Sequence, residues 1–251
     1  MGATDSAGVP WAGRQFEANA SADDDGSAPA GLLDAILRFR AGDAGQTEVV
    51  DALRTARLLV PLVAELGEAG AGEHGHLVDK SQELSIVRVA GPDGRVVQPA
   101  FLSVAAMAAW NPAARPVPAA APRVALAAAG EGTDLIVLDP TSPTEFVVRR
   151  PAVWALAQDA PWVPSPVDST VGEAVEAGAR AESAVRAVVL EAGDPDARLA
   201  GPELVVRLAL APGLARDDVD ALLARVQERW AADETIARAV DSMAVRLESR
   251  G

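Results

Sequence analysis

Leu84-Ser85-Ile86-Val87-Arg88-Val89-Ala90, then Gly91-Pro92-Asp93-Gly94, then Arg95-Val96-Val97-Gln98-Pro99-Ala100-Phe101-Leu102 run without interruption, two β-branched strings on either side of a four-residue turn. Proline presets φ at the first central position and glycine supplies the turn's last residue, so the stretch reads as a β-hairpin. A second hairpin is expected downstream, where Asp134–Leu138 and Glu145–Arg149 flank the turn Asp139-Pro140-Thr141-Ser142-Pro143.

Helical periodicity surrounds these strands. Leu33, Ile36, Leu37 and Arg40 recur at helix spacing after Leu32 until Gly42 ends the run, and Val49, Val50 and Leu53 share one face of a helix expected from Thr47 to about Ala56. The next string, Leu58 to Val63, reads as a strand. Pro61 cannot donate to a ladder, which places that strand at a sheet edge or on a bulge. Ser103 is a candidate cap for a helix over Val104–Ala109 that stops before Trp110-Asn111-Pro112. A Pro-rich link and an Ala-rich helix near Val124–Ala129 follow, and Pro151 opens a helix whose buried side is Val153, Trp154 and Ala157.

Ala160-Pro161-Trp162-Val163-Pro164-Ser165-Pro166 continues neither helix nor sheet, so 161–168 is read as a linker between a unit at 31–160 and a smaller one at 169–251. The smaller unit should hold a helix at Val171–Arg180, strands at Ala184–Glu191 and Leu204–Leu210, a helix at Asp217–Trp230 and a last strand at Met243–Glu248. Val219, Leu222, Leu223, Val226 and Trp230 form an apolar stripe on its long helix, and Asp217 and Asp218 suit the positive end of that helix's dipole. The expected class is α+β: a mixed or antiparallel N-terminal sheet with two hairpins and flanking helices, then a small α+β sandwich. Residues 1–30 are rich in Gly, Ala, Ser and Asp and read as a flexible acidic tail, with Trp11 and Phe16 as docking aromatics.

Composition narrows the function. A formal charge of -14 over 251 residues repels phosphate backbones and anionic headgroups, which argues against nucleic-acid and membrane partners. Cysteine is absent, so disulfides and thiolate chemistry are absent too; with no signal-like apolar stretch, a cytoplasmic protein is expected.

Metal binding is the first chemistry to weigh, because Glu73, His74, His76 and Asp79 lie within seven residues. A Gly-rich loop supplies no fixed geometry, and a solvated loop is the simpler reading; no metal and no cofactor are expected. Phosphate-binding glycine motifs and a Gly-x-Ser-x-Gly elbow are both missing. Asp134, Asp139 and Glu145 are the carboxylates that an unrecognised hydrolase or transferase would use, although turn chemistry alone explains Asp139. Arg149 and Arg150 stand where an anion could meet a helix start, or form a plain surface pair.

Asp79-Lys80-Ser81-Gln82-Glu83 is the preferred recognition segment. Twenty-one of 22 basic residues are arginine, and the one lysine stands here between two carboxylates at a strand entrance. Lysine is a compact donor whose charge shifts readily on burial, which sets it apart from arginine.

Read in series, Ala44-Gly45-Gln46-Thr47-Glu48-Val49-Val50-Asp51-Ala52-Leu53, Leu58-Leu59-Val60-Pro61-Leu62, Asp79 to Leu84, and Phe101-Leu102-Ser103 leading to Trp110-Asn111-Pro112 resemble the SseB family, named for enhanced serine sensitivity, in its actinobacterial branch. Asp139-Pro140 and Thr144-Glu145-Phe146-Val147 fit the same pattern. The likeness spans about residues 31–158; beyond it only the order of helices and strands is similar. It implies a non-enzymatic binding or regulatory module with no catalytic residue to transfer, so Asp79–Glu83 and the Trp110–Asn111 corner are expected as surfaces for a protein or a small amino-acid-like ligand. A third reading is homo-oligomeric assembly through a C-terminal edge strand.

Overall fold

A computed structural model describes residues 24–65 and 83–248. The chain runs through α1 (Ala30–Ala41), α2 (Gln46–Leu53), β1 (Arg57–Glu65), β2 (Glu83–Ile86), β3 (Val89–Ala90), β4 (Val96–Ala100), α3 (Val104–Trp110), β5 (Arg115–Ala120), α4 (Ala121–Gly130), β6 (Ile136–Leu138), β7 (Phe146–Val148) and α5 (Arg150–Ala157). A 3₁₀ turn at Ser165–Val167 leads to α6 (Ser169–Arg180), β8 (Val185–Ala192), β9 (Leu204–Leu210), α7 (Arg216–Ala231), α8 (Glu234–Ala239) and β10 (Met243–Glu248). The class is α+β, as expected.

Local chemistry sets the helix ends. Gly42 closes α1 in the left-handed conformation at φ 81°, donating to the carbonyls of Arg38 and Phe39. Glu48 reaches back to accept from the Gly45 N–H at 3.0 Å, and α2 stops at Leu53, three residues before its expected end. The Ser103 hydroxyl caps α3 by accepting from Ala106 N–H at 3.1 Å, a contact of about 1 kcal/mol. Pro151 lies in the first turn of α5, where a missing N–H costs nothing.

Both expected hairpins form. Gly91 N–H donates to Arg95 at 2.8 Å and Gly94 takes φ 81°, joining β3 to β4 antiparallel; β6 and β7 pair antiparallel from Ile136–Val148 to Leu138–Phe146. Between the hairpins, β4 and β6 run parallel, giving the order β3-β4-β6-β7. A second sheet, β2-β1-β5, is tied to the first by Leu59 and Phe101, which exchange both backbone bonds at 2.8 and 2.9 Å.

Three expectations are corrected here. The string 84–90 is divided between two sheets, β2 in one and β3 in the other. The Pro-rich link is a strand, β5. Pro61 lies in the central strand β1, where its missing N–H breaks no ladder bond. Residues 59 and 61 turn their peptide groups away from β5, as the Leu59–Phe101 exchange shows, and Val87 N–H reaches the Pro61 carbonyl at 3.5 Å past the last β1–β2 pair. Pro116 and Pro118 face Pro61 and Leu59 in register, so their ring nitrogens point out of the β1–β5 ladder too.

Helices α1, α2, α4 and α5 cover one face of this layer, burying Ile36, Val49, Leu53, Ala125 and Val153 against Leu58, Leu102, Ile136, Leu138 and Phe146. The alternating residues point the other way, where Leu59 and Phe101 meet Met107 of α3, and Val97, Val137 and Val147 meet Leu199. Strands buried on both sides explain why these strings are apolar without alternation.

In the C-terminal part β9 is central, antiparallel to β8 and parallel to β10. Helices α6, α7 and α8 pack on one face, with Val175, Val206, Leu208, Leu222, Val226 and Trp230 buried together. The strands at 204–210 and 243–248 fall where the sequence reading places them; α8 was not foreseen. Residues 24–29, assigned to the tail, are held: Arg57 pairs with Asp24 and donates to the Ser27 carbonyl at 2.6 Å, and Val104 N–H reaches Gly26 at 2.9 Å. Trp11, Phe16 and the histidine loop lie outside the described residues.

Candidate functional site

Asp79, Lys80, Ser81 and Gln82 lie outside the described residues, and Glu83 opens β2 opposite Glu65. Trp110 packs instead of projecting, its ring 5.2 Å from that of Phe101 beside Leu59 and Met107. Asn111 ends α3, its N–H donating to Met107 at 2.8 Å while its side-chain oxygen accepts from Ala113 N–H at 2.9 Å.

The turn after β6 absorbs two of the candidate carboxylates. Asp139, 3% exposed and at φ 42°, accepts from Leu102 N–H at 2.9 Å and from the Thr144 hydroxyl at 2.7 Å. Burial pushes its carboxyl up, against the pull of those two bonds. Glu145 accepts from Thr141 N–H at 2.6 Å and faces Arg198 at 3.7 Å. Asp134 stands at the opposite end of β6, half-buried. Neither concavity described below is lined by any of the three. Among the described residues, no group of three or more His, Asp or Glu is placed to hold a metal.

Arg149 is the candidate that the fold develops. It closes β7 with 5% of its surface exposed and reaches across to residues far along the chain. One terminal nitrogen donates to Asp241 at 2.9 Å and Ser242 at 3.2 Å; the other donates to Asp194 at 2.6 Å and the Gly201 carbonyl at 2.8 Å. It is not a surface pair with Arg150, which lies over the Trp154 ring at 4.8 Å and donates to the Val240 carbonyl.

The hairpin supplies the other half of this network. The β3–β4 turn presents Asp93, which accepts from the Arg95 Nε at 2.6 Å, and Arg95 grips both oxygens of Asp241 at 2.9 and 3.0 Å. Asp241 is therefore shared by two guanidiniums. Although burial pushes its carboxyl up, Arg95 and Arg149 outweigh that and hold it below the ordinary carboxylate range.

Asp194 organises the facing wall. Besides Arg149 it accepts from the N–H groups of Arg198, Leu199 and Ala200 at 3.2, 2.8 and 3.3 Å, and it folds a loop in which Ala197 and Leu199 take positive φ. That loop docks on the N-terminal layer: Val147 N–H donates to the Ala197 carbonyl at 2.8 Å, and Leu199 fills the hydrophobic face under Val97 and Val137. Gly193 and Gly201 close the loop's neck, where a Cβ on either would lie 2.3 Å from the Pro202 carbonyl or 2.6 Å from the Gly193 carbonyl.

Between the hairpin and this loop lies an open cleft of about 600 Å³, walled by Asp93 and Arg95 on one side and Leu199–Pro202 on the other, with Asp241 and Ser242 at its base. A second concavity of about 420 Å³, lined by Trp230, Ile236, Met243 and Val245, shares Asp241 and Ser242. Three of the five donors of Arg95 are engaged, which leaves two N–H groups on a side chain that is 37% exposed.

Residues 32–155 match the family model of the SseB protein N-terminal domain. The chain carries an SseB N-terminal domain. Its matched span takes in everything from α1 into α5, so both hairpins, the Asp139 turn, Arg95 and Arg149 belong to the SseB domain, whereas Asp194 and Asp241 come from beyond it. The SseB resemblance read over residues 31–158 is thus shown over nearly that extent. No curated protein and no solved structure matches the chain. Among the described residues, no helix is long and apolar enough to cross a membrane.

Asp194, Asp241, Arg95 and Ser242 were missed by sequence reasoning. Each is a single polar residue in a turn or at a strand end, and only folding brings them within reach of Arg149.

Proposed function

We propose that this chain is a cytoplasmic, non-enzymatic binding module, and that its ligand is a small amino-acid-like molecule whose carboxylate is received by Arg95 in the cleft. One observation carries the reading: the other charges in the network satisfy one another, while Arg95 keeps two N–H groups at the wall of a cleft large enough for such a ligand. Ser242, the hydroxyl at the base, already serves Glu203 N–H at 3.0 Å and Asp241 at 3.2 Å, and no histidine stands among the cleft residues to activate it. The serine-sensitivity effect attached to the family name fits a protein that senses an amino acid.

In this reading 161–168 joins the SseB unit to a C-terminal unit, and the cleft lies where they meet. Asp79–Glu83, with Lys80, is a second recognition surface, suited to a protein partner. Thermal-shift titration with free amino acids, serine among them, and with their methyl esters tests the cleft. Free amino acids should raise Tm saturably, the esters should not, and Ala200→Trp should abolish the rise because Ala200 is an exposed residue of the cleft wall. No shift with any free amino acid, or an undiminished shift in A200W, would overturn the assignment. Lys80→Ala in the same titration and in partner capture separates the second surface from the first.

A further inference from the structure

β10 is an outer strand of the C-terminal sheet, with β9 on one side and, among the described residues, no strand on the other. The Ser242 carbonyl accepts from Leu204 N–H at 3.0 Å, so in this parallel ladder the even-numbered residues of β10 turn their peptide groups to β9. Met243, Val245 and Leu247 therefore present theirs to the open edge.

Other edges of the molecule are guarded. β7 is closed off by the Ala197 carbonyl, β5 turns Pro116 and Pro118 outward, and β8 slips its register between Val185 and Ala187. β10 has no proline, no glycine and an unbroken register from Met243 to Glu248.

Alternation divides its side chains. Met243 and Val245 pack with the helices, and Leu247 follows them on that face, 46% exposed. Ala244, Arg246 and Glu248 stand on the helix-free face, where Arg207 of β9 donates to Glu191 of β8 at 2.6 Å and to Glu248. A ladder of alternating charge thus crosses the sheet from Glu191 through Arg207 to Glu248 and stops at the edge. Arg246 is exposed and, among the described residues, has no ion-pair partner.

Opposite charges two residues apart on one strand are self-complementary. We propose that a second copy of this chain docks on β10, antiparallel about a two-fold axis at Leu247, which joins the two three-stranded sheets into one. Leu247 exchanges both backbone bonds with Leu247 of the second copy and buries its side chain against it. Arg246 lies opposite Glu248 of the second copy, in the closer kind of antiparallel pair with about 4.5 Å between Cα atoms, so the charge ladder continues through the axis. A pairing centred on Val245 would instead set the two copies' Arg246 side chains diagonally against each other, which selects the Leu247 register.

Sedimentation equilibrium of the full chain tests this with a charge swap. Wild type should be dimeric at micromolar concentration. Arg246→Glu and Glu248→Arg each turn two attractive cross-strand pairs into two repulsive ones, so each alone should weaken the dimer about tenfold or more. Mixed in equal amounts, R246E and E248R should dimerise with each other, because every cross-strand pair is then again one acid with one base. The chain has no cysteine, so Leu247→Cys supplies a single thiol at the axis and should oxidise to a disulfide-linked dimer. Val189→Cys on β8, where the native side chain is 45% exposed, should not. A monomeric wild type, an R246E dimer of unchanged affinity, or equal cross-linking of L247C and V189C would overturn the proposal. The cross-link decides even if E248R, which also loses its contact with Arg207, fails to fold.

Discussion

Arg149 and Asp241, 92 positions apart, meet at 2.9 Å with side chains 6% and 1% exposed. This contact and the Arg149–Asp194 contact at 2.6 Å fasten the end of β7 to two separate segments of the C-terminal part. Removing the arginine leaves the buried Asp194 carboxylate without its cation and Asp241 with Arg95 alone. Arg149→Met should therefore cost about 3–5 kcal/mol in urea unfolding, the range found when one partner of a buried pair is lost. Arg149→Lys, with a single ammonium for four acceptors, should recover only part of it. A loss under about 1 kcal/mol in R149M would show that the network adds little.

The neck of the Asp194 loop should tolerate no side chain. A Cβ at Gly193 or Gly201 falls on a backbone carbonyl at 2.3 or 2.6 Å, where nothing flexible can yield. G193A and G201A should each destabilise by about 1–3 kcal/mol, as overpacking does, and each should weaken ligand binding along with it. Alanine at Gly213, where no neighbour lies within 4 Å, separates space from backbone strain: at φ 86° it should lose only the smaller, conformational cost.

Asp139 gives a pH prediction from the buried turn after β6. Its carboxyl is raised by burial, so its contribution is full below about pH 4 and declines as pH rises through the folded value. Asp139→Asn keeps an acceptor for Leu102 N–H and can donate to Thr144, and asparagine tolerates positive φ. D139N should unfold with less pH dependence than wild type, and D139A should cost about 1–3 kcal/mol by stranding a buried N–H. If this carboxylate served catalysis, D139N would instead be stable and inactive.

Glu182 shifts in the opposite direction. Arg225 and Arg229 of α7 bind it at 2.7 and 2.5 Å and hold its carboxyl down at about 2. Its stabilisation is present above the ordinary glutamate pKa and is lost only as pH falls through that low value. Side-chain NMR titration should place the Glu182 midpoint well below the other glutamates, and R225A with R229A together should return it towards about 4.3.

Much of the architecture was legible because it is written locally. Pro92-Asp93-Gly94 marks one hairpin, Ser103 marks a helix start, Gly42 marks a helix end, and the apolar-rich strings at 204–210 and 243–248 name their own strands. Arg115-Pro116-Val117-Pro118 was not legible, because whether two prolines suit a strand depends on which way the neighbouring strand turns its amides. The same holds for Pro61. The cleft was less legible still: Gly193-Asp194-Pro195-Asp196 reads as an ordinary turn, and nothing near it announces that Asp194 will meet an arginine 45 positions earlier. Arg149 was noticed for its place before Pro151, and the anion it finds is supplied by the protein itself.

The Ala197 carbonyl that receives Val147 N–H acts as a seal along the last strand of the SseB domain. Cut away from everything after residue 160, that domain would bare an unpaired β7 margin beside Val97, Leu135, Val137 and Val147, a flat greasy strip of the kind that seeds self-association. Solubility of the SseB half is thus on loan from its C-terminal neighbour, and a shortened chain should be sticky before it is unfolded.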